Sequence, residues 1–155
     1  MQLTYSDEPE VASVGLLSEP FSLNQVDSYL ADEAIPFGYP VEISSAPGVG
    51  RVGGVSKLAS GDCVGIAVAS LPQEQAAGSA DAEYKAEAAL PVLTYGRCWV
   101  KASAAISIGA EVVPANTGKF SAATATGVNV RMIAKTAAAA DGDLFMVELF
   151  PQITA

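Results

Sequence analysis

Histidine is absent from this 155-residue chain, and cysteine occurs only twice, as Cys63 and Cys98. Without histidine the chain cannot build a Ser-His-Asp or Cys-His catalytic centre or a histidine metal site. Two isolated cysteines are too few for a thiolate zinc site. Both lie in apolar runs, which favours buried free thiols over a disulfide between them. We therefore expect no catalytic residue, metal or cofactor, and the sequence predicts a protein that is not an enzyme.

Two short glycine-containing motifs resemble known sites without their context. Residues 48–53 match the spacing G-x-G-x-x-G, but no strand–helix unit surrounds them, so we interpret these glycines as turn residues. Asp141-Gly142-Asp143 lacks the further acids of a calcium loop and is interpreted as a tight turn. A hydrolase that uses two carboxylates stays open, since their separation depends on the fold, but no pair is nominated.

Positive charge is also scarce. The net charge is −9, and residues 1–50 contain no Lys or Arg beside eight acids: Asp7, Glu8, Glu10, Glu19, Asp27, Asp32, Glu33 and Glu42. Phosphate backbones repel such a segment, so we expect no direct contact with nucleic acid. No apolar run reaches the ~18 residues of a membrane span, and the first residues lack the basic start and apolar core of a signal peptide.

Charged residues make up only 16% of the chain, and half of it is hydrophobic. Soluble domains usually carry about 25% charged residues. A surface this poor in charge exposes uncharged area unless other subunits cover it. The composition therefore favours an assembly component over a free monomer.

Short apolar runs separated by glycine turns predict an all-β fold, as a single-domain β-barrel or a jelly-roll-like sandwich. We divide the chain into an extended acidic arm (residues 1–24) and a β domain (25–155) with a long surface loop (71–89). One short helix is predicted over Leu23–Ala34 from its spacing of apolar residues. The predicted strands after residue 50 are Val52–Leu58, Cys63–Ser70, Val92–Thr94, Arg97–Ala102, Glu111–Pro114, Val128–Ala134 and Leu144–Phe150.

The stretch Leu90–Ala102 is the centre of the predicted fold. A turn is expected at Tyr95–Gly96, followed by a strand in which Cys98, Val100 and Ala102 share the buried face. The other face carries Arg97, Lys101 and Trp99, the single tryptophan of the chain. It is either an ordinary solvated surface with a tryptophan under a loop, or a contact patch for an acidic arm from another subunit. Arg131 and Lys135 join this patch if their strand is a neighbour.

With these residues in view, the chain resembles the capsid cement (head decoration) proteins of tailed bacteriophages from about residue 25 to its end. The similarity rests on the order of several short motifs. They are Asp32–Val41 with its Pro-Phe-Gly, Gly61–Ala67, Tyr84, Leu90–Leu93 with Gly96 and Trp99-Val100, Gly109–Val112, and the closing Ala138–Leu149.

The resemblance implies a virion structural protein, made in the host cytoplasm, that sits on the outer surface of the expanded head. There it would bridge subunits of the major capsid protein and associate with itself as a dimer or trimer. Two rival functions are a tail or fibre component and a carbohydrate-binding β-sandwich. We predict contact residues at Trp99, Arg97, Lys101, Arg131, Phe37, Tyr39 and Tyr84.

Overall fold

The computed structural model describes residues 14–17, 24–44, 54–59, 62–69, 82–123 and 130–151. Regular structure within these ranges is all strand, and none of their segments is a helix long and apolar enough to cross a membrane. The predicted all-β, barrel-like fold is confirmed. The strands are β1 (Gln25–Ala31), β2 (Ile35–Pro36), β3 (Pro40–Ile43), β4 (Gly54–Lys57), β5 (Cys63–Ala67), β6 (Glu83–Tyr84), β7 (Ala89–Lys101), β8 (Glu111–Pro114), β9 (Phe120–Ala122), β10 (Val130–Ala134) and β11 (Leu144–Pro151).

Five strands close into a barrel around the first core. They are hydrogen-bonded in the order β1-β4-β3-β5-β7, and β1 pairs with β7 as well as with β4. The barrel is filled by fully buried apolar side chains, among them Val41, Val55, Val92 and Tyr84. Closure pairs both edges of β1, so this short strand is held on two sides.

The second half of β7 begins another curved sheet, in the order β7-β11-β10-β8-β9. A bridge between Ala102 and Phe120 brings β9 back to the end of β7. The inner face of this sheet buries the second core, which includes Phe120, Phe145, Met132 and Leu149. Ile66 and Leu93 belong to this core although they lie on barrel strands. β7 therefore contributes to both cores.

The helix predicted over Leu23–Ala34 is wrong, because the described part of this segment forms β1. Apolar residues three and four apart suggested a helix, but Tyr29 and Ala31 turn toward the barrel while Val26 and Leu30 are partly exposed. The strand is selected by its partners, since six of its residues pair with β7. Long-range pairing overrides a weak local periodicity.

The turn predicted at Tyr95–Gly96 is also wrong, because β7 continues through it for 13 residues. Gly96 has φ 129°, a conformation that glycine adopts without strain. A Cβ there would lie 2.0 Å from Asn24 Oδ1. Gly96 thus marks the point where β7 passes from pairing with β1 to pairing with β11, and a glycine inside a strand is typical of such an irregularity.

The end of the predicted surface loop 71–89 is part of the fold. Residues 71–81 lie outside the described residues, but Glu83–Tyr84 forms β6, and Tyr84 is fully buried. Residues 48–53 also lie outside them, as does most of the predicted arm. Within that arm, residues 14–17 lie along β7, where Leu17 forms a bridge with Cys98. The division into arm and β domain stays a prediction.

Candidate functional site

The outer face of the second sheet carries the predicted contact residues of β7. Cys98, Val100 and Ala102 are 0% exposed, which confirms the predicted buried face. Arg97, Trp99 and Lys101 alternate with them and are half-buried. We use the name Trp99 face for nine of the outward residues of this sheet and of the segment beside it: Leu16, Arg97, Trp99, Lys101, Glu111, Arg131, Lys135, Met146 and Glu148.

An apolar row crosses the Trp99 face. Trp99 donates its backbone N–H to the Leu16 carbonyl at 3.0 Å, and Gly15 donates to the Trp99 carbonyl at 2.8 Å. Leu17 bridges Cys98 on the inner side, so Leu16 lies beside Trp99 on the outer side, where it is 41% exposed. On the other flank Met146 is the cross-strand partner of Trp99. The row is therefore Leu16, Trp99, Met146.

Four cations, Arg97, Lys101, Arg131 and Lys135, lie on the same face as this row, and Glu148 and Glu111 form ion pairs there. Glu148 accepts ion pairs from Arg97 at 3.5 Å and from Lys135 at 2.6 Å. Arg131 lies 3.8 Å from Glu111. The strands of Arg97 and Arg131 are not neighbours, since β11 lies between them. Their side chains nevertheless share one face, because Glu148 and Phe150 of β11 are the partners of Arg97 and Arg131 respectively.

The ion pairs set the charge state of Glu148. Its side chain is only 14% exposed, and burial alone would raise its pKa. The hydrogen bond from Lys135 and the charges of Arg97 and Lys135 outweigh that effect, so the pKa of Glu148 lies below its usual value of 4.5. The carboxylate stays ionised and fixes two cations beside the apolar row.

Glu148→Gln is expected to lower the free energy of unfolding at neutral pH by about 1 kcal/mol, because two partly exposed cations lose their shared partner. A carboxylate whose pKa is lower in the folded state stabilises the fold above its unfolded pKa and loses that effect as pH falls through the folded pKa. The difference between wild type and variant should therefore shrink below about pH 4.5. Urea unfolding from pH 7 to pH 3 measures it, and a constant difference contradicts the expectation.

The remaining predicted contact residues lie away from the Trp99 face. Tyr84 is 0% exposed, its hydroxyl donates to the Val68 carbonyl, and its ring packs on Phe37 with centroids 5.0 Å apart. Tyr84 is therefore a core residue that leaves no surface for a partner. Tyr39 is half-buried, and its ring lies over Gly118, where a Cβ would meet it at 2.2 Å.

Sequence reasoning missed Leu16, Met146 and Glu148. Leu16 lies in a stretch without periodicity, so nothing indicated that it pairs with β7. The strand Leu144–Phe150 was predicted, and its alternation places Met146 and Glu148 opposite buried Phe145 and Val147. That alternation was the available signal, although sequence does not show which strand lies beside β7.

The two cysteines are buried, and the Asp143 carboxylate serves a turn. Cys63 and Cys98 are free and buried; burial raises the pKa of Cys63 to about 12 and the pKa of Cys98 still further. Neither forms the reactive thiolate near neutral pH. Asp143 accepts the N–H groups of Ala139 and Ala140, as a turn residue does. No group of His, Cys, Asp or Glu able to hold a metal occurs among the residues described.

A second uncovered surface lies on the first barrel. The outward residues of β1 are Val26, Ser28 and Leu30, with Val26 39% and Leu30 37% exposed. All three are uncharged. We refer to these three residues as the β1 face.

The described residues form an all-β scaffold with partly exposed apolar residues on two surfaces, as is common in proteins that bind other proteins. Residues 1–150 match the family of phage structural cement proteins, described as structural cement protein (E217 gp24/Pam3 gp6). The chain belongs to this family and has a structural cement role in a phage capsid. The resemblance found from residue 25 onward is thus confirmed, and the match extends to residue 1.

A solved structure shares the fold. A chain of the structure titled "The capsid of Myoviridae Phage XM1" superposes with a TM-score of 0.61 at 13% sequence identity, over 96% of this chain and 97% of that chain. No curated protein sequence matches this chain.

Proposed function

We propose that the protein binds the outer surface of the expanded phage head and bridges neighbouring subunits of the major capsid protein. The observation that carries the proposal is the Trp99 face, which presents a half-buried tryptophan, two flanking apolar side chains and fixed cations. Trp and Arg are over-represented among residues that dominate interface energies. Membership of the cement family favours a shell over a tail as the place of assembly.

Bridging requires at least two contact surfaces on one molecule. The Trp99 face lies on the second sheet, and the β1 face lies on the first barrel. We assign the capsid contact to the β1 face. We assign the contact between copies, in a dimer or trimer, to the Trp99 face, and this contact adds to the occupancy of the shell. Uncharged Val26 and Leu30 suit a contact that loses water without burying charge.

The mechanism is thermodynamic. A ligand that binds the expanded shell but not its precursor stabilises the expanded state by mass action. Many copies on one shell add their contributions, so each contact can be modest. No reactive group takes part.

Trp99→Ala is expected to weaken binding to empty expanded heads by about tenfold or more, as truncation of a central interface tryptophan does. Co-sedimentation of purified protein with heads measures the occupancy. Ile43→Ala is the matched control, because Ile43 is an exposed apolar residue (51%) at the end of β3, outside both the Trp99 face and the β1 face. The occupancy of this variant should stay at the wild-type level.

Circular dichroism separates binding from folding in this experiment. The spectrum of Trp99→Ala should match wild type, since the side chain is half-buried and outward. Unfolding of the variant, or unchanged occupancy, contradicts the role given to Trp99. Failure of the wild-type protein to co-sediment with heads contradicts the capsid proposal itself and favours a tail or fibre component.

A further inference from the structure

We infer that the Trp99 face binds the acidic residues 1–13 of a second copy of this chain. The inference rests on the proposed function, because it names the partner of one of its two contact surfaces. Three features of the chain support this partner. They are the acidic charge of the segment, the position at which the described chain begins, and the net charge of the protein.

Charge and polarity match between segment and face. Residues 1–13 contain Asp7, Glu8 and Glu10, with no Lys or Arg, and their apolar side chains include Leu3, Tyr5 and Val11. The Trp99 face offers the complementary pattern of an apolar row bordered by cations. Glu148 pairs with both Arg97 and Lys135, and the residues named for the face comprise four cations and two carboxylates, a net charge of +2. Complementary charges of this kind fix partner and register.

Val14 and Gly15, which follow this segment in the chain, contact the first barrel. Gly15, at φ 75°, donates to the Trp99 carbonyl and accepts a hydrogen bond from Ala69 near the end of β5. Val14 then packs against Gly38 of the first barrel, where a Cβ on Gly38 would lie 2.2 Å from Val14 Cγ1. The described part of the chain therefore begins beside the first barrel. Thirteen residues span up to about 45 Å when extended, which is enough to reach a neighbouring copy.

The net charge of the protein favours binding of this segment to a second copy. Copies that each carry −9 repel one another at close range. Seating three carboxylates of one copy on the cations of the next turns part of that repulsion into attraction.

A photo-crosslinker in the full-length chain tests the contact. p-Benzoylphenylalanine in place of Tyr5 is irradiated in an equal mixture of isotopically heavy and light protein, and crosslinked peptides are identified by mass spectrometry. We expect crosslinks to the Met146 or Trp99 peptide, and mixed heavy–light pairs among them. The same crosslinker in place of Ile43 is the control, because Ile43 lies on the first barrel and a crosslinker there should not label the Trp99 face.

Charge variants sharpen the same experiment. Asp7→Asn combined with Glu8→Gln and Glu10→Gln should reduce the crosslink yield about fivefold, as should an increase in salt from 50 to 500 mM, because exposed charge pairs are screened within a few ångströms at high salt. A matched triple variant removes the same charge elsewhere and should leave the yield unchanged: Asp62→Asn, Glu83→Gln and Asp141→Asn.

Each outcome separates the inference from the proposed function. Crosslinks to the face within single copies only, or no crosslink to the face, overturn the inference, and head binding by the same protein then still supports the cement role. Mixed crosslinks without binding to heads support the inference and contradict the proposed function.

Discussion

Gly65→Ala is expected to lower the free energy of unfolding by about 3 kcal/mol or more, because the site has no room for a methyl group. A Cβ on Gly65 would lie 2.3 Å from the Leu93 carbonyl oxygen and 2.6 Å from Val92 Cγ1. The obstacle at 2.3 Å is backbone of β7, which cannot move without disturbing both cores. Urea unfolding followed by circular dichroism measures the loss.

Gly109→Ala is the matched control for that experiment. Gly109 has φ 82°, and a Cβ there would meet no atom within 4 Å, so only backbone strain of about 1–2 kcal/mol is expected. The two variants separate a steric obstacle from a strained backbone. Equal losses in both would contradict the close approach of β5 and β7.

Tyr84→Ala should destabilise the fold by about 3–5 kcal/mol, the loss typical of a large buried aromatic side chain. The ring fills the first barrel beside Phe37, and the hydroxyl satisfies the Val68 carbonyl. Tyr84→Phe keeps the ring and leaves that carbonyl without its donor, so a smaller loss of about 1–2 kcal/mol is expected. Thermal unfolding of the two variants measures the difference.

This pair of variants also decides between two roles for Tyr84. A contact residue on the surface would lose head binding without a change in melting temperature. A core residue loses stability first, and Tyr84→Phe should bind heads like wild type once it is folded. A stable Tyr84→Ala protein that fails to bind heads would restore the role expected from sequence.

The sequence was most informative where one face of a strand is buried. The alternation around Trp99 correctly placed Cys98 and Val100 inside, and Glu111–Pro114 was predicted with its observed bounds. Glycines at turns such as Gly109 and Gly142 were also identified correctly, and both have positive φ. In these cases residues close in sequence determine the local structure.

The sequence failed where a distant partner decides the structure. β1 forms because two other strands pair with it. β7 continues through Gly96 because Asn24 packs against this glycine and β11 pairs with it. The outer face of the second sheet is likewise assembled from strands far apart in the chain, so Leu16 and Met146 could not be joined to Trp99 in advance. The alternation of residues identified the buried face of each strand. It did not show which strands lie side by side and so share one surface.

β7 belongs to both the first barrel and the second sheet, and this has a mechanical consequence. Force applied to the Trp99 face enters β7 and passes along its backbone into the first barrel, without crossing a hinge or linker. Sliding β7 out of either half shears its ladders with β1, β5 and β11 together. A force on this face is thus resisted by many hydrogen bonds loaded in parallel.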